Sequence, residues 1–134
     1  MMNQEQKLRR LVASLQLLAA EADVQLSVFP TFVCKPDEIV LTFDECSVFS
    51  QELVDAELLS VRAEVQLQRV DECIASLGDE DSIWSESAVR EDPQWAELRQ
   101  VARTALKEMG EIQQAPELGW MAFVPGSRRT EESG

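Results

Sequence analysis

Apolar side chains recur at helical intervals through most of this chain, and no other feature of the sequence restricts its fold as much. Within residues 4–22 the apolar positions are spaced by three and four, and the same spacing returns in 55–77 and 95–109. Each such stripe has to be buried against another element. The pattern therefore predicts a mostly α protein, a compact bundle of about four helices.

Helix-end signals are clearest around the last of these stretches. Asp92 followed by Pro93 is typical of an N-cap and a first helical position. Gly110 follows a last turn that carries Lys107, as expected beyond the end of a helix. These residues predict a helix that begins at Pro93 and ends before Gly110.

The preceding helices are marked less sharply. Ser50 or Asp55 can cap a long helix over 55–77, and Gly78 supplies its C-terminal stop. Such a helix would span roughly 34 Å at about 1.5 Å per residue. Ser85 predicts the cap of a short helix that follows it.

Residues 24–43 carry a different pattern, in which apolar residues alternate with polar ones on both sides of Lys35-Pro36-Asp37. This three-residue sequence favours a turn, so we predict a small antiparallel β-hairpin, which would make the fold α+β. The alternative is a helix that Pro36 opens, with acidic residues in its first turn. The alternation favours strands, and its members are Val24, Leu26 and Val28 before the turn and Ile39, Leu41 and Phe43 after it.

The chain of 134 residues fits one domain, and we predict a single helical domain over 1–125. The polar residues 126–134 are expected to form a flexible, disordered tail. Before them lies an apolar island, 120–124, which is predicted to return to the domain as a strand or strap. Its alternative role is a motif that docks on another protein.

The N-terminal region also has some features of a signal peptide. A basic stretch, 7–10, precedes an apolar run, 11–20, and Ala20-Glu21-Ala22 resembles a cleavage site. Ser14 and Gln16 interrupt the apolar run, and the apolar positions around them follow helical spacing, which favours an amphipathic helix instead. No stretch approaches the ~20 apolar residues of a membrane span.

The inventory of reactive side chains is short. The chain has no histidine and no tyrosine, and its five glycines form no phosphate-binding motif. The EF-hand pattern that would begin at Asp79 fails at Ile83, Trp84 and Arg90. We therefore predict no catalytic residues, no metal site and no cofactor. The cysteines Cys34, Cys46 and Cys73 are odd in number and widely spaced, which is typical of reduced thiols in a cytoplasmic protein.

Negative charge is concentrated in two stretches of this chain, whose formal net charge is -13. The first acidic segment, 36–61, holds seven carboxylates and no base; the second acidic segment, 71–92, holds eight carboxylates and one base, Arg90. Such a chain is a poor direct ligand of nucleic acid, which attracts lysine and arginine. A basic protein surface is the partner that the charge favours. The two segments are expected at opposite ends of the predicted helix 55–77, and they join into one patch only if the fold brings residues 37–45 back alongside.

The candidate partner-binding residues belong to the second acidic segment. Trp84 directly follows an acidic loop, whereas Trp95 belongs to a regular apolar seam and is expected in the core. Tryptophan is enriched at interface hot spots, so Trp84 is the candidate anchor. The predicted site consists of Asp79, Glu80, Asp81, Trp84, Glu86, Glu91 and Asp92.

Three functions follow from these observations. The first is a non-catalytic acidic module that binds a basic partner, as immunity proteins, antitoxins and inhibitors do. The alternative is a helical structural subunit that forms a homodimer through its seam in 56–77 or 95–109. The third is an enzyme that depends on carboxylates or a metal ion, and nothing in the sequence localises its site.

Overall fold

The structure, a computed structural model, describes residues 2–120. These residues are mostly helical, as predicted, and no strand occurs among them. No helix of this part of the chain is long and apolar enough to cross a membrane. The elements are α1 (Gln4–Ala19), α2 (Ala22–Ser27), α3 (Lys35–Ser47), α4 (Ser50–Asp55), α5 (Val61–Ala75), a 3-10 turn (Asp81–Trp84), α6 (Glu86–Glu91) and α7 (Pro93–Glu108).

The four longer helices pack side by side, with α1 between α3 and α7 and with α5 on α7. From Leu11 to Ala19, almost every side chain of α1 is buried, because neighbours cover this half of the helix on several sides. The stripe in 4–22 is therefore correctly read as helical, but the helix is amphipathic only in its first half and ends at Ala19.

One cluster of buried side chains connects all the helices. The seams predicted in 56–77 and 95–109 lie against each other inside it, because α5 packs on α7. Trp95 is fully buried, in agreement with the sequence. The largest fully buried apolar side chains are Trp95, Phe43, Leu11, Leu15, Leu17, Leu18, Ile39, Leu53, Leu98 and Leu106.

The predicted β-hairpin at 24–43 is wrong, because this segment forms α2 and α3. Pro36 lies in the first turn of α3, together with two acidic residues that the helix dipole favours there. Ile39, Val40 and Phe43 then share one buried helical face. Leu41, which the alternation placed with them, is only half-buried.

The predicted helix over 55–77 is shorter than expected. Its N-cap is Ser60, whose Oγ accepts a hydrogen bond from the N–H of Ala63 at 3.0 Å. The preceding residues form α4 and a turn in which Glu57 adopts a left-handed φ of 64°. The 15 residues of α5 span roughly 22 Å.

The other predicted helix ends are confirmed. Asp92 caps α7 with Pro93 in its first turn, and Ser85 caps α6. Gly78 and Gly110 both have positive φ, 75° and 76°, as expected beyond a helix C-terminus. The local end signals therefore predict correctly where the helices around the second acidic segment begin and end.

Buried polar side chains form hydrogen bonds at the carboxyl end of α1. The amide of Gln25, on α2, donates to the carbonyls of Leu17 and Leu18 at 3.1 and 2.9 Å. Its own oxygen accepts from Arg99 Nη1 at 3.1 Å, and that guanidinium also donates to the carbonyl of Val89. Gln25 thus connects α1, α2, α6 and α7.

Residue 120 marks the end of what the structure describes. Trp120, the first residue of the predicted apolar island, packs against the core as that prediction requires. The rest of the island and the predicted tail at 126–134 lie outside the described residues.

Candidate partner-binding surface

The loop between α5 and α6 carries the acidic part of the predicted site, and hydrogen bonds hold it in shape. Gly78 turns the chain after α5, and its carbonyl accepts from the indole N–H of Trp84 at 2.9 Å. Gln94 Nε2 donates to the carbonyl of Ser76 at 3.0 Å. Ser85 Oγ donates to the carbonyl of Ser82 at the same distance. The loop is therefore a defined structure rather than a free connection.

Two tryptophans meet beneath this loop. Their rings are perpendicular, with centroids 5.8 Å apart, the edge-to-face arrangement that aromatic pairs favour. The indole N–H of Trp95 donates to the carbonyl of Ile83 at 2.8 Å. Trp84 is only half-buried, so it braces the loop and still presents part of its ring. Its contact with a partner stays a prediction.

The predicted carboxylates divide into two groups. Those of the loop and of α6 are exposed and lie on adjacent elements, because the 3-10 turn packs on α6. Asp92 is half-buried, and its Oδ1 accepts from the N–H of Gln94 at 2.8 Å, so this side chain serves as a helix cap. The exposed group, called the acidic surface below, consists of Asp79, Glu80, Asp81, Glu86 and Glu91.

No base of residues 2–120 neutralises this surface with an ion pair. Arg90, the one base of the second acidic segment, pairs with Asp23 of α2. The other three ion pairs among these residues also use carboxylates outside 71–92. They are Lys7–Glu52, Arg62–Glu108 and Arg103–Glu21.

The carboxylates of the first acidic segment are less available to a partner. Glu38 is fully buried in α3. Glu52 Oε2 accepts from Lys7 Nζ at 2.8 Å, and this hydrogen bond lowers the pKa of the Glu52 carboxyl. Gln51 Nε2 donates to a carboxylate oxygen of Asp55 at 3.0 Å. Several carboxylates of this segment therefore already have internal roles.

The two acidic segments come close to each other at Asp44 and Asp71. Partial desolvation raises the pKa of Asp71 on α5, and the nearby negative charge of Asp44 on α3 raises it further. Desolvation raises the pKa of Asp44 as well, with a smaller contribution from Glu45. The predicted placement of the two segments at opposite ends of one helix is therefore incomplete, because α3 brings part of the first segment towards α5.

Residues 2–120 offer few other groups for metal binding or for reactions of cysteine. Within residues 2–120, no group of three histidine, cysteine, aspartate or glutamate side chains is placed to hold a metal ion. No disulfide joins the cysteines of residues 2–120. Cys34 is exposed, whereas burial raises the pKa of Cys46 to about 11.

Known proteins give no further guide to this surface. No family model, no curated protein and no solved structure matches the chain. Function has to be inferred from the residues themselves.

The sequence did not reveal which residues brace the loop. Gln94 and the carbonyls of Ser76, Gly78 and Ile83 carry no motif, and they meet only after α5 and α7 have packed. The one available signal was the pair of indole N–H groups, each of which requires an acceptor when it is buried.

Proposed function

We propose that this chain is a non-catalytic protein-binding module whose acidic surface engages a basic partner, in the manner of an immunity protein, antitoxin or inhibitor. One observation carries the proposal: none of the four ion pairs among residues 2–120 uses a carboxylate of the second acidic segment. The bases that could neutralise the segment, such as Arg90 and Arg103, instead connect α6 and α7 to the α2 region.

Unpaired carboxylates on a braced loop suit this role physically. Their summed field attracts a cationic protein and raises its association rate, an effect that reaches about 8 Å at physiological salt. A loop already held by the indole of Trp84 loses little further conformational freedom when it binds. The exposed part of that ring offers an apolar contact next to the charges.

A site-directed crosslinking experiment tests the proposal. A photoreactive amino acid at Ser82, between the loop carboxylates, should capture a basic protein from the source lysate, whereas one at the exposed Gln100 of α7 should not. The captured protein is then purified and its association rate is measured against salt. We expect a decrease of tenfold or more between low and high salt.

Charge-neutral variants identify the surface. Asp79→Asn, Glu80→Gln and Asp81→Asn together should slow association about tenfold at low salt. The matched control changes three exposed carboxylates outside the surface, Glu5, Glu97 and Glu111, to glutamine and should alter the rate less than about twofold. Equal rates in the two triple variants, or association that ignores salt, would contradict the proposal.

A second candidate function, a self-associating structural subunit, is favoured by an exposed apolar stripe near the start of α5. Leu58, Val61 and Val65 are 39%, 65% and 42% exposed, although the seams proposed for dimerisation are buried inside the chain. Sedimentation velocity should then show a concentration-dependent dimer that Val61→Ser with Val65→Ser abolishes. A strict monomer at high concentration would rule this function out.

A further inference from the structure

A surface of different character lies over α1, away from the acidic loop. After α7 the segment 111–120 runs back along α1, from Gln16 towards Arg10. Gln16 Nε2 donates to the carbonyl of Ile112 at 3.0 Å, and Gln113 Nε2 donates to the carbonyl of Gln16 at 3.2 Å. At the far end, the guanidinium of Arg10 lies 5.2 Å from the centre of the Trp120 ring.

Between α1 and this segment lies a cavity of about 530 Å³. This volume falls within the ~300–1,000 Å³ of small-molecule sites. Its lining combines apolar side chains of α1, including Leu8, Val12 and Ala13, with polar groups. This apolar wall is only one part of the site, because seven of its twelve lining residues are polar or charged, so the cavity suits a ligand that has both an apolar and a charged part.

Two adjacent cations, Arg9 and Arg10, line the cavity. Neither forms an ion pair with a carboxylate of residues 2–120, in contrast to Lys7 in the same turn region. Two carboxylates, Glu111 and Glu117, also line the cavity from the opposite segment, and they do not pair with these arginines. The arginines thus keep their hydrogen-bonding capacity for another anion.

We infer that this cavity binds a small organic anion, a flat apolar group that carries a carboxylate, phosphate or sulfonate. Guanidinium groups match the geometry of these oxyanions and can bind them through two parallel hydrogen bonds. Trp120 and the apolar wall supply the contact for the flat group. This inference is independent of the acidic surface and does not require a protein partner.

The full-length chain can be tested with 8-anilinonaphthalene-1-sulfonate, a fluorescent aromatic anion of this class. It should bind with a stoichiometry of one. Arg9→Gln with Arg10→Gln should weaken the binding tenfold or more. The matched control removes two other bases that form no ion pair within residues 2–120, as Arg69→Gln with Lys107→Gln, and should change affinity less than twofold.

Two further measurements locate the probe. Glu111→Gln with Glu117→Gln should tighten binding, because it removes negative charge from the cavity, while the neutral probe N-phenyl-1-naphthylamine should not distinguish the arginine variant from the parent. NMR should show shifts of the Trp120 indole and the Gln16 side-chain amide. Absence of binding, equal affinity in the arginine variant, or shifts confined to the exposed stripe near the start of α5 would overturn the inference. Unchanged circular dichroism of the arginine variant keeps the comparison valid.

Discussion

Replacement of Gln25 by leucine is expected to destabilise the chain strongly, although the two side chains are similar in size. Gln25 is fully buried and its amide makes three hydrogen bonds, to the carbonyls of Leu17 and Leu18 and with Arg99. The last carbonyls of a helix have no partner within the helix, so these side-chain bonds satisfy groups that are buried beside them. Leucine fills the space and satisfies none of them.

The expected magnitude follows from what each partner retains. The Leu17 carbonyl keeps a bond from the N–H of Ala20 at 3.2 Å, and Arg99 keeps its bond to the carbonyl of Val89. The Leu18 carbonyl loses the donor that Gln25 supplies, and a stranded buried acceptor costs about 1–3 kcal/mol. With smaller losses at the other two partners, the free energy of unfolding should fall by about 2–4 kcal/mol.

Urea denaturation followed by circular dichroism measures this change, with Gln100→Leu as the control. Gln100 is exposed on α7, so its substitution should alter the free energy of unfolding by less than about 0.5 kcal/mol. A double-mutant cycle with Arg99→Met should show a coupling of about 1 kcal/mol with Gln25. If Gln25→Leu were as mild as the control, the reasoning from unsatisfied carbonyls would be refuted.

Three further predictions concern single residues. Exposed Cys34 should react with a thiol reagent at neutral pH much faster than Cys46, whose thiol is buried and has its pKa raised to about 11; equal rates would contradict this burial. Gly78→Ala should lower the free energy of unfolding by about 1–2 kcal/mol, because φ is +75° while an added Cβ would meet nothing within 4 Å; an unchanged urea midpoint would show that the turn adapts. Asp71→Asn should raise the melting temperature at neutral pH, because the raised pKa of Asp71 means that its ionised form disfavours folding. This destabilising effect disappears as pH falls below the ordinary pKa of 3.8. A gain in melting temperature that persists at about pH 3 would therefore contradict the raised pKa of Asp71.

Local signals predicted helix ends well because the physics of a cap involves only a few neighbouring residues. Asp92, Pro93 and Gly110 act as the sequence predicts, since each satisfies or removes a backbone requirement within one turn. The acidic surface was predicted on the same basis, because exposed residues of a short loop need little tertiary information. The bracing of that loop could not be predicted, since Gln94 reaches it from another helix.

The two incorrect elements failed for physical reasons. In α3, Ile39 and Phe43 fit both an alternating pattern and an i, i+4 pattern, so periodicity alone could not separate strand from helix. Burial against α1 decided the matter in favour of the helix. For the helix predicted over 55–77, the break depends on Glu57 in a left-handed conformation that non-glycine residues adopt rarely. No residue in the segment predicts this left-handed conformation.

The uneven distribution of charge along the sequence produces an acidic surface only because of how the folded chain pairs its charged side chains. Four bases pair with carboxylates outside the second acidic segment, and two of these pairs, Arg62–Glu108 and Arg90–Asp23, connect helices that also pack against each other. The paired bases therefore connect elements of the fold, and no ion pair among the described residues neutralises a carboxylate of 71–92. Because Asp44 lies on α3, which packs on α6, a partner docked on the acidic surface also experiences part of the first segment. Neutralising Asp44 should then slow association, by less than neutralising the loop does, since screening weakens a charge that lies farther from the contact.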